Sequence, residues 1–278
     1  MKHIILIGCF VAVSFNGLSQ SFFSNTQESH QGKIFLYWGW NRGWYSKSDI
    51  SFAGDNYNFR LDRVVAKDRQ THFDPSIYLN PGRATIPQYD FRIGYYFKKN
   101  LSLSFGFDHM KYVVQQGQHV KLSGHIAETG TPYDGSYSHS DVVIQPGFLQ
   151  LEHTNGLNYL NLELRHLNEI ADFNKVKINL VEGVGAGGLY PKTDATVLGY
   201  DRNDEWHWSG FGIDALVGVN VEFFKYFFVQ SEIKGGFIDM PDIRITSVKS
   251  DQAKQHFFFS QLNVVFGANI NLLTKGKD

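Results

Sequence analysis

The side chains able to do chemistry in this chain are histidines, hydroxyls and carboxylates, and one neighbourhood places all three close in sequence. Leu151-Glu152-His153-Thr154-Asn155-Gly156-Leu157 runs into a segment carrying Glu163 and Arg165. A histidine that takes the proton of a hydroxyl, oriented by a carboxylate, is the machinery of acyl transfer, so His153 and Thr154 are the candidate catalytic residues. Glu163 cannot orient His153, because ten residues of extended chain span more than about 30 Å. Gly183-Val184-Gly185-Ala186-Gly187-Gly188 has the spacing of a dinucleotide loop, but Tyr190-Pro191 follows where that loop needs a helix. The chain contains neither a G-x-S-x-G elbow nor an H-E-x-x-H pair. His72, His119, His125, His139, His153 and His207 lack the close spacing of a ligand motif, so neither a metal nor another cofactor is expected.

The other chemistry-bearing residues are charges that recur at alternate positions, which leads back to the elements that must hold them. In 211–223 the odd positions Phe211, Ile213, Ala215, Val217, Val219, Val221 and Phe223 are apolar, while Asp214, Asn220 and Glu222 fall on even ones. Segment 256–272 repeats the plan, with Phe258, Leu262, Val264, Phe266 and Ile270 against Gln261, Asn263 and Asn269. This is the period of a strand with two different environments. Segments 34–44, 89–97, 101–112, 157–167, 176–189 and 227–237 follow it too, making eight strands. Composition agrees: 42% of the 278 residues are apolar, 15% aromatic and 19% charged, with a net charge of -1. No apolar run reaches the roughly 18 residues of a membrane helix. The near-neutral balance lacks the basic footprint of a nucleic-acid binder, and the aromatic content excludes a disordered chain.

Residues 1–19 form a basic start, an apolar stretch and a small-residue exit, the pattern of a secretory signal peptide. Cys9 lies inside it, so the exported chain has no cysteine for disulfides or thiolate chemistry. Residues 20–32 read as a lead-in, 33–273 as the strand-bearing domain and 274–278 as a tail.

Short breaks at 98–100, 168–174 and 224–226 alternate with long polar connections at 46–88, 113–156, 190–207 and 238–255. An even number of antiparallel strands with short turns at one end and long loops at the other describes an outer-membrane barrel, with short periplasmic turns, long extracellular loops and periplasmic termini. Hydrocarbon offers no partner to a backbone amide, so such a sheet must close on itself. The apolar rows then face lipid, and Trp38, Trp40, Trp44, Tyr95, Phe97, Tyr226 and Phe227 are the girdle candidates. The same phase sends Asp90, Arg92, Asp108, Glu163, Arg165, Asp214, Glu222, Glu232 and Lys234 inward. An eight-stranded lumen is narrow enough for side chains to fill, so these should form an ion-pair network and leave no wide channel, with Gly183, Gly185 and Gly187 making room for Arg92 or Arg165. Glu182 breaks the pattern, since Ile178, Leu180 and Val184 would take it outward. A bulge near Val181 is expected to return it to the lumen. Arg42, His109 and Lys111 fall outward near the loop ends, where they could meet lipid headgroups and lipopolysaccharide phosphates. Within the loops, 50–66 reads as a hairpin broken at Gly54-Asp55-Asn56 and 120–127 as another extended piece. The loops are the expected place for an envelope protein partner or ligand.

With these features in place, 32–273 resembles small Gram-negative outer-membrane β-barrel proteins of the eight-stranded type. Trp40-Asn41-Arg42, Tyr45-Ser46-Lys47-Ser48-Asp49-Ile50 and Phe105-Gly106-Phe107-Asp108-His109-Met110-Lys111-Tyr112 look like a branch of that group to which no activity attaches. The resemblance implies a terminal aromatic residue on the last strand, whereas Leu272-Leu273 is followed by Thr274 to Asp278. It also implies that an enzyme of this shape, a lipid A deacylase, would pair a His with a Ser two residues away. Asn155 stands there instead. A non-enzymatic barrel is therefore the expected function, with an outer-leaflet hydrolase or acyltransferase as the alternative.

Overall fold

The computed structural model describes residues 29–83 and 86–271, so the expected signal peptide, most of the lead-in, Leu272-Leu273 and the tail lie outside the described residues. In chain order the strands are β1 (Lys33–Tyr45), β2 (Ser48–Gly54), β3 (Tyr57–Val64), β4 (Ala66–Lys67), β5 (Tyr89–Lys98), β6 (Leu101–Val114), β7 (His119–Ile126) and β8 (Gly135–Val143). After them come β9 (Leu149–Asp172), β10 (Val176–Leu189), β11 (Lys192–Val197), β12 (Asn203–Trp206), β13 (Gly210–Phe223), β14 (Phe227–Arg244) and β15 (Gln252–Asn271). Eight of these, β1, β5, β6, β9, β10, β13, β14 and β15, pair antiparallel in that order, and β15 pairs back onto β1 from Lys33↔Asn271 to Tyr45↔Phe259. The ring is closed, so every wall strand has a neighbour on both sides and no edge is left for hydrocarbon to meet.

Each of the eight segments read from sequence is a wall strand. Their outward rows are apolar: Leu103 and Phe105 on β6, Leu162 and Leu164 on β9, Ile213, Val217 and Val219 on β13, and Leu262, Val264 and Phe266 on β15 are all exposed. The short turns are tight. Phe224 and Lys225 both have positive φ and the Tyr226 amide donates to the Phe223 carbonyl at 3.1 Å, the type I′ geometry whose twist matches that of the flanking strands. Tyr95, Phe97, Tyr226 and Phe227 lie exposed at this short-turn end. At the other end Trp38 and Trp40 meet edge to face at 5.1 Å, and Trp40 packs on Phe266.

Three expectations need correction. The long connections are not polar loops. Wall strands β6, β9, β14 and β15 run on past the belt, a sheet β2–β3–β7–β8 continues from β15, and β11 and β12 continue from β9. The hairpin expected at 50–66 and the extended piece at 120–127 are β2–β3 and β7 within this cap. The cap has its own apolar core, including Ile50, Phe52, Phe59, Tyr112, Leu122, Phe148, Leu151, Ile238, Met240 and Phe257. Second, 168–174 is not a turn. Strand β9 continues to Asp172, with a bulge opposite Ile178/Asn179 and a turn at 173–175. Third, no bulge lies near Val181. The β10–β13 ladder is regular through Val181↔Gly218 and Glu182↔Val217, Val181 is buried inside, and Glu182 is exposed on the outer wall. The outward phase of Ile178, Leu180 and Val184 stands and Glu182 shares it. Its carboxylate is accommodated there by Asn168, which donates to Oε1 at 3.1 Å, with His166 Nδ1 3.2 Å from the same oxygen.

Candidate functional site

The lumen is the largest assembly of charged groups in the molecule. At its centre three cations and three carboxylates alternate. Arg92 meets Glu163 at 2.7 Å and Asp108 at 3.6 Å, Arg165 meets Glu163 at 2.5 Å and Glu232 at 2.9 Å, and Lys234 meets Asp108 at 2.5 Å and Glu163 at 2.8 Å. All six side chains are buried. A buried charge is tolerable only when paired and hydrogen-bonded; here all but Glu232, which pairs with Arg165 alone, are shared between ionic partners, so the network ties β5, β6, β9 and β14 together across the barrel.

The other three expected lumen residues lie apart from this centre. Asp90 Oδ1 accepts from Asn41 at 2.8 Å and Gln261 at 3.1 Å, and Asp214 Oδ2 accepts from the Tyr159 hydroxyl at 2.8 Å. Neither has a cation within ion-pair distance among the described residues. Glu222 is near the short-turn end, where it meets His30 Nε2 at 2.9 Å and Asn269 at 2.7 Å.

Two members of the network carry no charge and escape a search for ionisable residues. Tyr37 accepts from Arg92 and Arg165, each at 2.9 Å, and lies beneath the Arg165 guanidinium. Asn161 accepts from Arg92 at 2.6 Å and donates to Asp108 at 3.0 Å. Both lie on the inward phase, so extending the phase argument to neutral polar residues finds them. The space for Arg92 comes from Gly106, where a Cβ would lie 2.2 Å from the guanidinium; Gly183 abuts Arg165, and Gly185 abuts Glu163 and Asp214.

Apolar layers close the network at both ends. Towards the short turns Phe35, Tyr96, Leu167, Val181 and Phe228 form a plug, beside which a cavity of about 20 Å³ remains. Towards the cap Tyr159 and Phe259 meet at 6.3 Å, and the apolar core begins directly above them.

The candidate catalytic pair is separated by strand alternation. His153 is fully buried in the cap, its Nδ1 3.2 Å from the Thr193 hydroxyl and its Nε2 without a hydrogen-bond partner. Burial without a counter-charge pushes its pKa down to about 3, so the ring is neutral. Thr154 faces the other way and donates to Glu152 at 3.0 Å, while Glu152 itself is held by Arg69 at 2.7 Å. Among the described residues no hydroxyl and carboxylate converge with His153 on a solvent-accessible point, which is what acyl transfer requires.

Of the three outward basic residues, Arg42 is exposed beyond the tryptophan girdle, its guanidinium 5.5 Å from the centre of the Trp44 ring. Lys111 donates to the Ile86 carbonyl at 3.1 Å. His109 is buried, stacked on Tyr89 at 4.9 Å with Nδ1 2.8 Å from Asn158 Oδ1. An aromatic group that the sequence hid in a polar connection also sits at this level: Tyr190 stacks with Trp206 at 5.5 Å and Trp208 at 4.9 Å, and Trp208 covers Gly188. Among the described residues no cluster of His, Asp and Glu is arranged to hold a metal ion.

A closed eight-stranded ring with an apolar outer belt, aromatic residues at both margins and a charged interior defines an integral outer-membrane β-barrel. No family model and no curated protein matches the chain. Among solved structures it is similar to OprG from Pseudomonas aeruginosa, with 10% identity and a TM-score of 0.38 over 89% of this chain and all of that one. It is also similar to the N-terminal β-barrel domain of P. aeruginosa OprF, with 9% identity and a TM-score of 0.30 over 85% of this chain and 98% of that one. Ail, the attachment invasion locus protein of Yersinia pestis, has 10% identity and a TM-score of 0.28 over 85% of this chain and 99% of that one. These likenesses concern architecture, and the class rests on the wall itself.

Proposed function

We propose that this protein is a non-enzymatic outer-membrane barrel whose cap stands on the extracellular side as a preformed platform for a partner or ligand, with both termini in the periplasm and Arg42 among the groups that touch outer-leaflet headgroups. The observation that carries this reading is the stacking of three layers inside one wall: an apolar plug, a saturated ion-pair network and an apolar cap core. A solute would have to pass the plug, break six buried ionic contacts and part the cap core. A cap with its own core presents rigid strands rather than mobile loops, which lowers the ordering cost of recognition. The burial of His153 and the opposite facing of Thr154 weigh against the lipid-acting alternative.

The test compares a deletion strain with its parent, and intact protein with a form whose β2–β3 and β7–β8 hairpins are replaced by short turns. Unchanged lipid A acylation, no conductance in planar bilayers and a stoichiometric companion that intact protein captures from native envelopes and the trimmed form does not are expected. Altered acylation that His153→Ala reverses, or steady conductance by the folded wild type, would overturn the reading.

A further inference from the structure

The outer wall contains one polar cluster in the wrong solvent. On β10 the outward row reads Ile178, Leu180, Glu182, Val184 and Ala186, so Glu182 has apolar neighbours both above and below it. Val217 beside it on β13 is exposed to the same surroundings, and on β9 Leu162 and Leu164 stand above His166 and Ile170 below. Within this field the side chains of His166, Asn168 and Glu182 bond, among the described residues, only to one another: His166 Nδ1 and Asn168 Nδ2 both lie by Glu182 Oε1, and Asn168 Nδ2 is 3.1 Å from His166 Nδ1. The His166 and Glu182 side chains remain 42% and 48% exposed. Glu182 Oε2 and His166 Nε2 make no hydrogen bond among the described residues. Hydrocarbon supplies no partner to either, and ionisable groups at such depth are costly unless something covers them.

The two open positions are one acceptor and one donor on the same patch: a carboxylate oxygen and, with the ring carrying hydrogen at Nε2, an N–H. Such a patch is complementary to itself. A two-fold axis along the membrane normal sets Nε2 of one copy against Oε2 of the other, twice, and satisfies both groups in both chains. An isologous interface demands this self-matching from a single surface. Beside Leu164 of β9 the residues at the same level are Val184 on β10 and Ala215 on β13, smaller side chains that let a second wall approach closely. We propose that the protein self-associates in the membrane as a two-fold dimer through the β9–β10 wall, joined by reciprocal His166–Glu182 hydrogen bonds. This interface is on the wall and is independent of the cap's role.

The experiment uses full-length protein in lipid vesicles, with Cys9→Ser as background because Cys9 is the sole cysteine. Val184→Cys, one outward position from Glu182, should give a disulfide-linked dimer on oxidation. Ile270→Cys, on the β15 wall across the ring, should not. By sedimentation in density-matched micelles the wild type should dimerise, and His166→Leu/Glu182→Leu should weaken this at least tenfold. That variant gives the belt the apolar residues it uses elsewhere, and an unchanged strand spectrum by circular dichroism confirms folding. The exchanged variant His166→Glu/Glu182→His keeps one donor and one acceptor and should restore the dimer. The proposal is overturned by a monomeric wild type with no Val184→Cys cross-link, by an equally tight dimer in the leucine variant, or by failure of the exchange to restore association.

Discussion

In the belt the inward row of β15 runs Asn269, Val265, Asn263, Gln261; continuing upward into the cap the same row becomes Phe259, Phe257, Gln255 and Ala253. The outward row changes the opposite way, from Ile270, Phe266, Val264 and Leu262 to Ser260, His256 and Lys254, with the exposed Phe258 among the last three. β6 does the same on its inner face, from Ser102, Ser104 and Asp108 to Met110, Tyr112 and Val114. One strand therefore belongs to two folding problems. Where lipid surrounds the wall, apolar groups gain nothing by turning inward, and the interior is left for groups that pair with one another. Where water surrounds it, the hydrophobic effect drives the same face inward into a core. Tyr159 marks the boundary, its ring in the cap core and its hydroxyl on Asp214 in the lumen.

The largest expected effects come from removing the element that each region relies on. Glu163→Gln withdraws a carboxylate shared by Arg92, Arg165 and Lys234 and should cost about 3–5 kcal/mol, the scale for breaking a buried pair. Phe257→Ala in the cap should cost a similar amount, roughly 3–5 kcal/mol, through its cavity. Urea unfolding from vesicles measures both. Limited proteolysis separates them, since Phe257→Ala should open the cap to cleavage while the belt stays protected. Equal resistance of the two caps would mean that belt and cap unfold as a single unit.

A smaller contrast is expected on the outside. Ile233→Lys, on a residue 60% exposed in the belt, should lose up to about 2–4 kcal/mol by placing a charge against lipid. Lys254→Ile, on the same face one region higher, should stay within roughly 0.5 kcal/mol because it meets water. Equal costs in vesicle refolding would remove the boundary between the regions.

The smallest effect is a pH response confined to the cap. His153 has its pKa held near 3 by burial, below the roughly 6.5 of the unfolded chain, so unfolded protein binds the extra proton. Its stabilising contribution is complete above about pH 6.5 and is lost as pH falls towards 3, amounting to about 2 kcal/mol at pH 5. Protection of cap amides, taken relative to the intrinsic exchange rate at each pH, should fall between pH 7 and pH 5 in the wild type and change less in His153→Gln. An identical response in both would assign the acid sensitivity to another group.

The wall was legible because strand period and membrane solvent act on each residue locally: Phe211 to Phe223 declare both phase and face without reference to any other strand. Lumen candidates such as Arg92 and Glu163 followed from the same phase, but their partners did not, because Arg92 reaches Asn161 and Glu163 across 69 and 71 residues. Glu182 was misplaced for a related reason. Seen alone, a carboxylate among apolar neighbours calls for a bulge; His166 and Asn168, which hold it outside, arrive from another strand. The cap was hidden because its strands carry polar residues on their water-facing sides and read as loops until a second sheet covers Ile50, Phe52 and Phe59.

By itself the amino-acid order determined the number of wall strands, their phase, which end carries the short connections and which the long, and hence a closed barrel, since these depend on each residue's own solvent preference and on the demand that no backbone group stay unpaired in lipid. The pairing within the lumen, the core above the membrane, the burial that makes His153 inert and the polar patch on the outer wall were decided by tertiary structure alone, because each depends on which distant strands the ring sets side by side.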